Sequence, residues 1–199
     1  MQVIINGEHR EFKVASISTL LDVVCQLEKT FQQGQIITEV TLNEKVLTSD
    51  WYQNSSKIYL LDDDVLELKL EDSSMIAQAT LINSKETFEV LLKDFEMIAD
   101  AFRLMDEADA NAQFIQGIEN LQWFLKVLED ATFLLGRPLD QIMDRDVVFT
   151  EHINQLSTKL EKIIGVQFNK DWIMLADMIE YEMLPALKKV GTIYQIFGV

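Results

Sequence analysis

The chain opens with MQVIINGEHREFKV, residues 1–14. Its first part, Met1–Ile5, is rich in β-branched side chains and runs directly into Asn6-Gly7. Asn-Gly favours the positive φ angles of a type I′ turn, whose twist matches that of antiparallel strands. The sequence therefore predicts an opening β-hairpin with a return strand over Arg10–Val14.

A helix is predicted after this hairpin. The segment Ser16–Thr19 offers hydroxyl N-caps, and Gly34 is a suitable residue just beyond a helix end. Apolar residues between them recur at helical spacing: Ile17, Leu20, Leu21, Val24, Leu27 and Phe31. Cys25 lies beside this stripe and is interpreted as a small buried hydrophobe, because no nearby residue suggests a base that would activate a nucleophile.

Alternating β-type patterns resume after Gly34. They cover Thr38–Leu42, Lys45–Leu47, Ile58–Leu61 and Val65–Leu70. Asn43-Glu44 and Asp62–Asp64 are predicted turns, and Leu66, Leu68 and Leu70 are expected to face the helix. The predicted order is strand, strand, helix, strand, strand, strand, which gives one sheet with one helix on its face.

These features resemble a ubiquitin-like β-grasp domain over residues 1–72. The resemblance rests on Met1-Gln2-Val3-Ile4-Ile5, the Asn6-Gly7 hairpin, the helix from Ser18 to Gly34, and the turn and last strand over Asp62–Leu70. Sulfur carriers and modifiers of this superfamily act through a C-terminal Gly-Gly. Here the last strand runs into Glu71-Asp72-Ser73-Ser74, and the chain ends Phe197-Gly198-Val199. The resemblance therefore implies a docking module rather than a carrier.

The remaining sequence has helical periodicity. Residues 73–84 are either a linker or the start of the first helix, and residues 85–199 are predicted to form a helical bundle. Apolar stripes occupy residues 88–105, 114–135, 149–163 and 172–197. Gly136 and Gly165 are predicted helix stops, and Pro185 predicts a kink or break around Tyr181–Leu184. The predicted fold class is α+β, with a β-grasp domain followed by an antiparallel four-helix bundle.

One segment of the last helix, Asp177–Pro185, is similar to helical domains of uncharacterised bacterial proteins, and this likeness implies no activity. Its acidic residues Asp177, Glu180 and Glu182 are interpreted as solvated, or as cap and tyrosine contacts.

Charge limits the classes of partner. The chain carries 17 basic and 33 acidic residues, a net charge of −16. Because this field repels polyanions, neither nucleic acid nor an anionic membrane is expected as a partner.

The single cysteine excludes an internal disulfide, no leader segment is recognised at Met1–Ile5, and no apolar run approaches the roughly 20 residues that span a bilayer. A cytoplasmic protein is expected.

No catalytic, cofactor-binding or metal-binding residue is predicted. Neither His9 nor His152 belongs to the Glu-x-x-His pattern of a di-iron bundle, and His152 is expected at the surface or its boundary. The stretch Asp106–Asn111 lacks the sixth-position glycine of a calcium loop and is interpreted as a solvated loop between helices.

The sequence thus favours a non-enzymatic adaptor, regulator or assembly factor that binds an unidentified protein. One alternative is a chaperone-like bundle for a secretion or appendage subunit, which the eight methionines favour. Inaccessible side chains at Met105, Met174, Met178 and Met183, with no open groove, would exclude it.

A second alternative is a small-molecule sensor or enzyme with a pocket between helices. A homodimer is also open, since heptad spacing can serve a dimer seam.

Overall fold

The computed structural model describes residues 1–12, 18–48 and 50–199. The chain divides into two units, Met1–Met75 and Ile76–Val199. The first contains a β-sheet and the second is mostly helical, so the α+β class is confirmed. The predicted positions of Val14, Ser16 and Ile17 lie outside the described residues.

The first unit is built around a five-stranded sheet in the order β2-β1-β7-β4-β5. In chain order its elements are β1 (Gln2–Ile5), β2 (Glu8–Glu11), β3 (Ser18–Thr19), α1 (Leu20–Glu28), β4 (Gln35–Leu42), β5 (Lys45–Val46), α2 (Trp51–Asn54), a 3₁₀ turn (Ser55–Lys57), β6 (Tyr59–Leu60) and β7 (Val65–Asp72). Strands β1 and β7 pair in parallel, with Ile4 opposite Glu67, and the other pairs of this sheet are antiparallel. Strand β6 pairs with β3 in a separate two-stranded sheet.

Helix α1 begins at a capping box. The Thr19 hydroxyl accepts a hydrogen bond from the Asp22 N–H at 3.3 Å, and the Asp22 carboxylate accepts one from the Thr19 N–H at 2.9 Å. Two backbone donors that the first helical turn leaves free are thereby satisfied. A predicted N-cap at Thr19 is thus confirmed.

The same helix ends at Glu28, earlier than the predicted stop near Gly34. Both the hydroxyl and the N–H of Thr30 donate to the carbonyl oxygen of Leu27, at 2.7 and 2.8 Å. These local bonds draw the chain into a turn, as threonine side chains do at helix ends.

Burial on α1 differs from expectation at Cys25. The buried side chains of this helix are Leu20, Val23, Val24 and Leu27. They pack in one core with Leu66, Leu68 and Leu70 of β7, as the alternating pattern predicts. Because the buried stripe passes through Val23 and Val24, Cys25 points away from the sheet and is exposed. The interpretation of Cys25 as a buried hydrophobe is therefore wrong.

Two turn asparagines hold the two ends of β7. Asn6 and Asn43 have φ angles of 50° and 49°, so each lies in the left-handed region that asparagine tolerates. The Asn6 side-chain amide accepts from the Leu70 N–H at 2.7 Å and donates to the Leu70 carbonyl at 3.1 Å. The Asn43 side chain accepts from the Val65 N–H at 2.9 Å. Both hairpin turns thus also fix the strand that pairs with β1 and β4.

The rest of the chain, from Ser73 onward, is described throughout. Its elements are α3 (Ser73–Leu104), α4 (Glu107–Leu134), a 3₁₀ turn (Leu139–Gln141), a small hairpin of β8 (Met143–Asp144) and β9 (Val147–Val148), α5 (Phe149–Phe168), α6 (Trp172–Met178), a π-helical turn (Ile179–Met183), α7 (Leu184–Val190) and α8 (Ile193–Phe197). Residues 73–84 therefore belong to a helix rather than to a linker.

This region has six helices where the sequence predicts four. The predicted last helix is interrupted first near Pro185, as expected, because proline lacks an N–H and its ring clashes with the preceding turn. The turn widens there: the Leu184 N–H donates to the carbonyl of Ile179, five residues back. A second interruption follows at Gly191-Thr192, between α7 and α8.

The start of α4 and the end of α5 also differ from the predictions. Asp106 is the N-cap of α4 and accepts from the Ala108 N–H at 2.9 Å, so Asp106–Asn111 starts a helix and is not a loop. The acidic residues of its first turn, Glu107 and Asp109, interact favourably with the positive end of the helix dipole. Helix α5 continues through Gly165 to Phe168. The predicted stop at Gly136 is confirmed, with a φ angle of 68° just beyond α4.

Aromatic rings form much of the helical core. Phe88 of α3 stacks on Phe124 of α4 with ring centroids 5.2 Å apart, and it lies 5.8 Å from the Tyr194 ring of α8. Near the opposite ends of α3 and α4, Phe102 meets Phe114 edge to face at 5.9 Å. The later residue of α3 thus packs on the earlier residue of α4, so these two helices run antiparallel.

Candidate functional site

Four helix ends meet at one end of the helical unit. The ring of Phe102 in the last turns of α3 stacks on Trp172 at the start of α6, with centroids 5.6 Å apart. Gln167 near the end of α5 donates to Asn111 near the start of α4 at 2.6 Å. The ends of α3 and α5 and the starts of α4 and α6 are therefore neighbours.

Large apolar side chains are exposed at this end. We call them the apolar end: Leu104 (83% exposed), Met105 (53%), Phe168 (86%), Ile173 (60%) and Met174 (51%). Single exposed apolar residues are normal on soluble proteins, but a group of them at one site marks an interaction surface.

The surroundings of the apolar end are acidic. Residues 100–111 and 167–180 contain seven acidic and two basic side chains, so their formal charge is 2 − 7 = −5. Both cations are engaged: Lys170 pairs with Glu107 at 3.0 Å, and Arg103 pairs with Asp177 at 2.7 Å and Glu180 at 2.6 Å. The hydrogen bonds that Arg103 donates, first to Asp177 and then to Glu180, raise the pKa of its guanidinium. The unpaired charge around the apolar end is negative.

The acids of the last predicted helix are therefore not merely solvated, nor are they cap or tyrosine contacts. Asp177 and Glu180 clamp α6 and the π-helical turn to Arg103 of α3, and Glu182 pairs with Lys159 of α5 at 2.6 Å. Sequence reasoning missed these partners because Arg103 lies 74 and 77 residues away from its two acids.

The four methionines named for the chaperone alternative divide into two pairs. Met105 and Met174 belong to the apolar end, whereas Met178 and Met183 are buried in the helical core. Half of the set is therefore accessible, and the condition that would exclude a groove-type chaperone is not met.

A second feature is an open groove of about 490 Å³ beside the π-helical turn. We call it the basic groove. One wall is the face of α5 that carries Thr158, Lys159 and Lys162. The other wall has Tyr181 and Glu182 on the π-helical turn and Lys189 on α7; the Tyr181 side chain is 68% exposed. π-helical turns inside α-helices often occur at functional sites.

Electrostatics in this groove are dominated by lysine. The hydrogen bond from Lys159 holds the pKa of Glu182 below its ordinary value against the opposing effect of burial, and the positive charges of Lys159 and Lys162 add to it. Within the described ranges, Lys162 and Lys189 form no ion pair. Two ammonium groups of the groove are therefore free to meet an anion.

The helical unit also matches a known family. A family model described as a domain of unknown function, DUF8042, matches residues 79–193, more than half of the 199-residue chain. The chain belongs to the DUF8042 family. No curated protein and no solved structure matches the chain. Both the apolar end and the basic groove lie within the DUF8042 region, and the five-stranded sheet lies outside it.

The DUF8042 region also contains a buried polar lock. His152 of α5, expected near the surface, is only 8% exposed. Its Nε2 lies 2.9 Å from the Asp144 carboxylate, which also accepts from the Thr192 hydroxyl at 3.1 Å. The Nδ1 atom is buried with no partner among the described residues. Asp144 thus ties the hairpin to α5 and to the turn before α8.

This lock gives the DUF8042 protein a defined acid sensitivity. The hydrogen bond with His152 lowers the pKa of Asp144 more than burial raises it. The stability that Asp144 contributes is therefore present above the ordinary aspartate pKa of about 3.9, and it is lost as pH falls through the lower folded-state value. We expect Asp144→Asn to be less stable at neutral pH and to lose less stability on acidification, as measured by urea unfolding at several pH values. Asp146→Asn, an exposed neighbour in the same hairpin, is the control; equal pH profiles for the two variants would contradict the prediction.

Metal sites and membrane-spanning helices are both absent from the described residues. In the described part of the DUF8042 protein, no group of three or more His, Cys, Asp and Glu side chains is arranged to hold a metal ion. Nor does any helix there have both the length and the apolar character needed to cross a bilayer.

Proposed function

We propose that this DUF8042 protein is a non-enzymatic adaptor that binds a basic amphipathic helix of a partner protein at its apolar end. The observation that carries the proposal is the grouping of five exposed apolar side chains where four helix ends meet. A regulator, an assembly factor or a chaperone for a secretion or appendage subunit would use the same surface.

The chemistry of the partner follows from the charge of the surroundings. An amphipathic helix buries its apolar face against an apolar surface and presents its polar face to the rim. The residues around the apolar end, 100–111 and 167–180, have a net charge of −5. A helix with lysine or arginine on its polar face is therefore attracted, and an acidic helix is repelled. Met105 and Met174 add side chains that adapt to different apolar faces.

The first unit supports the adaptor role as a second docking module. Its central parallel pair of β1 and β7, its flanking hairpins and the packing of α1 on one face are the features on which we propose a ubiquitin-like β-grasp fold. The other face is mainly polar: Gln2, Glu39, Glu67 and Lys69 are exposed, which suits docking of a polar partner.

A designed peptide tests the proposal directly. The probe is a fluorescent helical peptide of leucine and lysine at amphipathic spacing, titrated with the full chain and followed by fluorescence anisotropy. Leu104→Ser combined with Phe168→Ser is expected to weaken binding at least about tenfold, because burying each such side chain contributes roughly 1.5–3 kcal/mol. The matched control is Phe133→Ser, which removes a 69% exposed aromatic side chain near the opposite end of α4.

Three results would overturn the proposal. A scrambled peptide of the same composition that binds equally well would show that charge alone attracts the probe. An equal loss on Phe133→Ser would show that the apolar end is not the site. A stable dimer of the full chain that Leu104→Ser dissociates, detected by analytical ultracentrifugation, would assign the apolar end to a second copy of this chain.

A further inference from the structure

The basic groove is a positive site on a negative molecule. Three lysines and one glutamate line it (Lys159, Lys162, Lys189 and Glu182), so its formal charge is 3 − 1 = +2. The chain from Ser73 onward has 11 basic and 20 acidic residues, a charge of 11 − 20 = −9. A cluster of cations in such a sequence is the reverse of what the composition favours, and nothing in the adaptor role uses it.

Local geometry keeps these cations together and accessible. Lys162 follows Lys159 by three residues and Thr158 by four on α5, so it is the neighbour of both on the helix surface that lines the groove. The Lys159–Glu182 pair at 2.6 Å joins that face to the π-helical turn. The widening of the helix ahead of Pro185 places Tyr181 and Glu182 on the groove wall. The groove wall thus includes the π-helical turn.

We propose that the basic groove binds a small molecule that carries one phosphate monoester. A phosphate monoester has a charge of about −1.5 to −2 at pH 7, which matches the formal charge of the groove. Lys162 and Lys189 supply charge-assisted hydrogen bonds to the phosphate oxygens. The exposed Tyr181 ring offers a face on which an aromatic part of the ligand stacks.

The volume of the basic groove and the negative charge of the surface around it exclude larger anions. A groove of about 490 Å³ has the volume of a small-molecule site. A nucleic acid strand would extend past the groove onto a surface whose net charge is negative, where each further phosphate is repelled. A compact anion with a single phosphate avoids that repulsion.

Calorimetric titration of the full chain with phenyl phosphate at low salt tests the proposal. Lys162→Gln and Lys189→Gln are each expected to weaken binding about tenfold, the loss of one hydrogen bond to a charged group. Lys188→Gln is the matched control, because Lys188 is exposed on α7 next to Lys189 and does not line the groove; less than about a twofold change is expected. Benzoate, which carries one negative charge on a similar ring, is expected to bind at least about tenfold more weakly.

Equal binding of benzoate and phenyl phosphate, or an equal effect of Lys188→Gln and Lys189→Gln, would overturn the proposal. So would the absence of any heat of binding with phenyl phosphate. A short phosphotyrosine peptide distinguishes the source of the phosphate. If it binds much more tightly than phenyl phosphate and depends on Lys162 and Lys189, the ligand is a phosphorylated protein and the small-molecule source is wrong.

Discussion

Replacement of Phe124 by alanine is expected to lower the free energy of unfolding of the helical unit by about 4 kcal/mol. The Phe124 side chain is fully buried, and its ring stacks on Phe88 at 5.2 Å. Truncation removes the buried ring and leaves a cavity that the surrounding helices fill only in part. Urea unfolding followed by far-ultraviolet circular dichroism, which reports chiefly on the helices, is the measurement.

The adjacent residue provides a matched control. Trp123 is 59% exposed on the same helix, so Trp123→Ala removes an even larger ring at nearly the same place in the chain. Its effect is expected to stay within about 0.5 kcal/mol, as for other surface substitutions. Similar losses in the two variants would show that Phe124 is not at the centre of the helical core.

The second large effect is expected at Asn6, in the turn between β1 and β2. Asn6→Ala is expected to destabilise the first unit by about 3 kcal/mol. It removes two hydrogen bonds to the backbone of Leu70, worth about 1 kcal/mol each, and it places alanine at a φ of 50°, which costs a further 1 kcal/mol or more.

A glycine variant separates these two causes. Asn6→Gly also loses the hydrogen bonds to Leu70, but glycine adopts the positive φ angle without strain. We expect Asn6→Gly to lie about 1 kcal/mol above Asn6→Ala in stability, with both below the unmodified chain in chemical denaturation. Full stability of Asn6→Gly would mean that the turn needs only a permissive backbone and that the side-chain bonds to β7 contribute nothing.

Local patterns were predictable where the interacting atoms lie within a few residues of each other. The Asn6-Gly7 hairpin, the Thr19 cap, the burial of Leu66 and Leu68, and the helix stop at Gly136 are of this kind. Each follows from backbone preferences, short-range hydrogen bonds or an apolar period.

Errors arose where short-range rules compete with contacts from elsewhere in the chain. Cys25 is next to the apolar stripe but outside it, and periodicity alone did not resolve that single step of 100° around α1. His152 is buried and bonded to Asp144 of the β8–β9 hairpin, a partner that the helical pattern around His152 does not indicate. Helix α5 continues through Gly165, since packing overrides the weak helix propensity of one glycine.

The sequence by itself determined the α+β class, the two hairpins of the first unit, the starts of α1, α5 and α6, and the net charge of −16. The tertiary structure alone decided which ends of the helices meet, and therefore where the apolar end and the basic groove lie. Arg103 and Glu180 are 77 residues apart, and Lys159 and Glu182 are 23 apart. No local preference of the chain specifies such pairs, because they form only after whole helices have packed on a common core.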